Sequence, residues 1–80
     1  MILEQIYRKN KIILRTYETI SDSNINLLLK MIHLTVQETK IHIVVPVHEY
    51  RFARQHHFQT LISFLSGFPR VTWGGGLPVF

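Results

Sequence analysis

The sequence predicts a small single-domain α+β sandwich in the order strand, strand, helix, strand, helix, strand. It would be of the ferredoxin-like or split βαβ type, with both helices on one face of the sheet. Three observations carry this. The stretch Lys40-Ile41-His42-Ile43-Val44-Val45-Pro46-Val47 is a nearly unbroken run of β-branched residues, as in a strand whose two sides are both apolar. Segments with apolar residues at helical spacing stand on either side of it. Finally, 80 residues without cysteine allow one core and no disulfide or thiolate metal staple.

Taken in order, residues 2–7 and 11–17 read as two strands joined across Arg8-Lys9-Asn10, because asparagine tolerates the left-handed backbone of a tight turn. The second strand is the firmer, since Glu4 and Gln5 are poor strand formers and the first segment could begin as a helix. Ser21-Asp22-Ser23 supplies cap candidates and a first-turn carboxylate for a helix reaching about Thr39. Its main apolar face is Ile25, Leu28, Leu29, Ile32 and Val36. Leu27, Met31 and Leu34 form a second stripe, which reads either as more core or as an interface with another chain.

Pro46 closes the central strand, since proline has no N–H to give a ladder. Residues 48–57 then turn basic, aromatic and rich in histidine, a loop leading into a helix whose sheet-facing stripe is Phe58, Leu61, Ile62 and Leu65. Gly67 and Pro69 end that helix. Residues 70–73 make a last strand, so the domain covers 1–73. Residues 74–80 form a glycine-hinged apolar tail in which Leu77, Val79 and Phe80 are expected to dock, giving a partner interface together with Leu27, Met31 and Leu34.

Function is less clearly written. No apolar run approaches the roughly 18–20 residues that span a bilayer, so no membrane span is expected. The first residues lack a signal peptide's apolar region, and an intracellular protein is expected. Five histidines invite a metal, but the adjacent pair His56 and His57 points to different sides of a helix. His42 and His48 show no close ligand spacing either, so no metal and no cofactor are expected. Neither Ser63 nor Ser66 sits in a nucleophile elbow, and the three glycines after Trp73 lack a phosphate-cradle sequence, so no enzyme is expected.

Nine Lys and Arg against five Asp and Glu leave a net charge of +4, which permits an anionic partner. Arg51 and Arg54 can pair with phosphates while Tyr50, Phe52, His56 and His57 stack on bases, with Lys9, Lys11 and Arg15 at the hairpin extending the same RNA-binding surface. The alternative places Phe52 in the core and leaves the arginines as a solvated rim.

Lys11-Ile12-Ile13-Leu14-Arg15-Thr16-Tyr17-Glu18 resembles the opening strand of the family of the tenth protein of the small ribosomal subunit. There, too, aliphatic residues, a basic residue, a small residue, an aromatic and an acid follow in similar order. Lys40-Ile41 and Val45-Pro46-Val47 are similar to that family's strand and proline turn before an RNA-embedded loop. The resemblance runs from about Asn10 to His57. It implies a ribosomal or organellar-ribosomal component, a structural protein whose loop contacts rRNA and whose globular part meets neighbouring subunits. The alternative function is a small protein-interaction subunit or viral accessory protein that self-associates or binds protein without RNA.

Overall fold

In the computed structural model the chain is described over residues 2–74. The expected interface residues Leu77, Val79 and Phe80 lie outside this range. The chain opens as a hairpin, β1 (Glu4–Arg8) and β2 (Lys11–Arg15), turned by Lys9 and Asn10 alone. A two-residue strand, β3 (Thr19–Ile20), precedes helix α1 (Ile25–Glu38). Strand β4 (His42–Val44), a single 3-10 turn (Val47–Glu49) and β5 (Arg51–Phe52) lead into helix α2 (Gln55–Leu65) and the last strand, β6 (Val71–Thr72).

The main sheet runs β1-β2-β4-β6. The hairpin is antiparallel, and β2, β4 and β6 are parallel neighbours. This is the expected α+β architecture with two helices. Within it, the strands joined by helices lie side by side, whereas a ferredoxin-like or split βαβ arrangement sets another strand between them. Two right-handed crossovers advancing the same way across a sheet put both helices on one face. There Ile12, Leu14, Ile43, Val45 and Val71 meet Leu28, Ile32, Leu61 and Leu65 in one core. A second sheet, β3 with β5, is parallel and two residues long.

The central stretch differs from its sequence reading. Its ladder is short because the carbonyl of Val45 accepts the Val47 N–H across Pro46, whose angles (φ −78°, ψ 75°) are those of an inverse γ-turn. It is also covered on one side only. Ile43 and Val45 are fully buried, but His42 and Ile41 are exposed and Val44 is half-buried. Cross-strand partners share a face. The face away from the helices is therefore built of Ile6, Ile13, Val44 and Thr72, with Arg8, Lys11 and His42 along one side and Glu4 and Arg15 along the other.

At the start of α1 neither a serine cap nor the Asp22 carboxylate serves the first turn as expected. Asn24 occupies the position before the first turn, but its amide ties the preceding loop, accepting the Ser21 N–H and donating to the Thr19 carbonyl, each at 2.9 Å. The other end is held by Arg70. Its guanidinium donates to the carbonyls of Val36 (2.8 Å), Thr39 (2.6 Å) and Ile41 (3.2 Å), satisfying acceptors that a helix C-terminus leaves free.

Candidate nucleic-acid interface

The segment expected to be a loop is instead shaped by a backbone ladder and the start of a helix. β5 pairs with β3, setting Arg51 opposite Thr19 and Phe52 opposite Ile20, and the Ala53 N–H continues the ladder to the Ile20 carbonyl at 2.8 Å. α2 then begins immediately, with Arg54 at its cap position and His57 three residues on. A Glu or Gln there would complete a capping box; here the His57 ring takes that part, its Nδ1 accepting the Arg54 N–H at 3.1 Å.

His57 is 2% exposed, and its other nitrogen is also committed. Nε2 lies 2.7 Å from Oδ1 of Asp22. Because Nδ1 accepts, the ring proton sits on Nε2 and is donated to the carboxylate. That bond, and a second from His56 at 3.5 Å, hold the Asp22 carboxyl below its ordinary range. Asp22, read from sequence as a helix-start carboxylate, therefore clips the β3–α1 loop to the first turn of α2.

Asp22, His56 and His57 each bring a ligand atom within 4.8 Å of the others, so the trio must be tested as a cation site. It fits poorly. A metal on Nε2 of His57 would move the ring proton to Nδ1, where it would face the Arg54 N–H, donor against donor. For the same reason His57 has no free nitrogen to act as a base.

Two of the residues expected to stack on bases do not offer a ring. Tyr50 is buried, its hydroxyl donating to the Leu14 carbonyl at 2.5 Å, and burial followed by the charge of Glu49 pushes its pKa up. His57 is held as described. Both were expected at the surface because their neighbours in sequence are polar, and both are drawn inward by long-range polar partners. Arg51, Arg54 and His56 are exposed, and among the described residues no carboxylate lies within ion-pair distance of either arginine.

Lys9 and Lys11 do not extend this surface. Lys11 opens β2, whereas Arg15 at the other end of that strand pairs with Glu49 at 3.4 Å, two residues before Arg51. The lysines instead join Arg8 and His42 at the opposite end of the sheet. Of the α1 stripe, Leu27 and Leu34 are exposed as an interface would be, at 52% and 43%. Met31 packs partly against the core.

His48, one of the histidines set aside as a ligand, has Glu49 beside it at the surface, 3.5 Å away. His42 is at the far end of the sheet, bonded to Thr72 at 2.6 Å, so these three residues form no common site. No helix among the described residues is long and apolar enough to cross a membrane. Comparison with protein-family models, curated proteins and solved structures finds no match to this chain.

Proposed function

We propose that the chain is a small, non-catalytic structural component of a ribonucleoprotein that contacts RNA through Arg51, Arg54 and His56. One observation carries this reading: two exposed arginines without a carboxylate partner among the described residues stand three positions apart on a junction fixed by the β3–β5 ladder and the Asp22–His57–Arg54 clip. A fixed backbone beneath the two arginines lessens the ordering that phosphate contact requires, and the net charge of +4 favours approach to a polyanion. The buried Tyr50 and His57 shift the balance from base stacking to backbone contact, which implies affinity with little sequence preference. The resemblance of the segment from about Asn10 to His57 to a ribosomal protein family points the same way.

The test is RNA binding across a salt series by wild type and by Arg51→Ala/Arg54→Ala, with folding checked by circular dichroism. Removing one arginine–phosphate pair should lower the salt slope by about one unit, so the double variant should fall short of wild type by about two. Equal slopes, or no binding by wild type at low salt, would reject the reading. A protein-interaction subunit would then be favoured by the exposed Leu27 and Leu34.

A further inference from the structure

The five large apolar side chains exposed among the described residues are Tyr7, Tyr17, Leu27, Leu34 and Ile41, and three of them flank one sheet edge. β1 is an edge strand, paired on one side only. Gln5 on this strand donates to the Thr35 hydroxyl at 3.1 Å, which places α1 beside β1 and orients the helix. Passing round α1 from its buried face through Thr35, the next side chains at 100° per residue are Met31, then Glu38 at the helix end, then Leu27 and Leu34. The exposed leucines therefore lie on the flank of α1 that overhangs the β1 edge, on the same side of the sheet as Tyr7.

The edge is complementary to itself. β1 reads Glu4-Gln5-Ile6-Tyr7-Arg8, with no proline, and an antiparallel copy centred on Ile6 sets Glu4 against Arg8 and Arg8 against Glu4. The backbone agrees with that register. The ladder alternates, so every second residue of β1 turns its N–H and C=O away from β2. The Tyr7 carbonyl is such a group, because it accepts the Arg8 guanidinium at 3.2 Å. Gln5, two residues away, is its equivalent. Pairing Gln5 with the partner's Tyr7, twice by symmetry, joins the outward groups of both strands. Arg8 then exchanges its own chain's carbonyl for the Glu4 carboxylate of the second copy.

We propose that this chain forms a two-fold dimer through β1, continuing the sheet across the two copies and covering Tyr7, Leu27 and Leu34 of each. The interface is isologous, the commonest symmetry of soluble oligomers. None of its residues is among those proposed to contact RNA, so the two readings are tested by different substitutions.

Sedimentation velocity over a concentration series tests it, using wild type, Glu4→Arg, Arg8→Glu, the swap Glu4→Arg/Arg8→Glu, and Leu27→Lys/Leu34→Lys, with folding of each checked by circular dichroism. Wild type should dimerise. Each single reversal sets like charges together at two symmetric places and should weaken the dimer about tenfold, given the modest worth of exposed pairs. The swap should restore it. The leucine variant, whose altered positions are exposed in the free chain, should be a folded monomer. A wild type monomeric at millimolar concentration overturns the proposal, as does a dimer indifferent to the charge reversals or one that the swap leaves as weak as the singles.

Discussion

His57 shows how one side chain can be structural while sitting among candidate ligands. Its Nδ1 accepts from the Arg54 backbone and its Nε2 donates to Asp22, so it joins two elements and is spent in doing so. Replacing it by phenylalanine keeps the bulk but leaves the Arg54 N–H unpaired. The expected loss is about 1–3 kcal/mol of stability, measured by urea unfolding. Asp22 adds a pH dependence. Its carboxyl titrates lower in the folded chain than in the unfolded one, so its contribution is present above the ordinary carboxylate range and is lost as pH falls through the folded value. Wild type and Asp22→Asn should therefore differ in unfolding midpoint at neutral pH and converge in acid. A difference that persists unchanged to low pH would mean the carboxylate is not what His57 requires. None of this was legible in the sequence, because a histidine three residues after an arginine matches no common cap and its partner is 35 residues away.

At the scale of elements, legibility followed period. The hairpin and α1 were readable because strong local patterns coincide with tertiary burial, as at Ile12 and Leu14 on β2 and Leu28 and Ile32 on α1. β3 and β5 are two residues each, too short to carry any period, and exist because the chains on either side of Ile20 and Phe52 meet. α2 began three residues earlier than its apolar stripe, at Gln55, since the first turn is fixed by polar bonds. The run of β-branched residues after Lys40 outlasted its ladder because Pro46 turns the backbone. Val45, fully buried and donating its N–H to the Thr72 carbonyl at 2.8 Å, remains the sharpest test of that core. Val45→Asp buries a carboxylate without a partner and should abolish cooperative folding, seen as loss of amide dispersion in NMR spectra. Arg70, read only as the start of a strand, fastens the end of α1. Arg70→Met retains the aliphatic stem and removes the donors to three carbonyls, and should cost about 2 kcal/mol in urea unfolding.

At the scale of the molecule, charge separates into two ends. Arg8, Lys9, Lys11 and His42 lie where β2 and β4 begin, and Arg51, Arg54 and His56 lie beyond where they finish. A sequence places Lys9 and Arg51 in one basic inventory; only the parallel pairing of β2 with β4 shows that they point to opposite ends. The RNA reading rests on the second group, because the β3–β5 ladder and a histidine clip hold it in place. The most direct test is amide chemical-shift mapping of the labelled protein titrated with a short single-stranded RNA at low salt. Binding at the β5–α2 junction predicts shifts concentrated from Arg51 to His56, with the hairpin turn at Lys9 and Asn10 little affected. Shifts confined to the hairpin turn, or none anywhere, would contradict it.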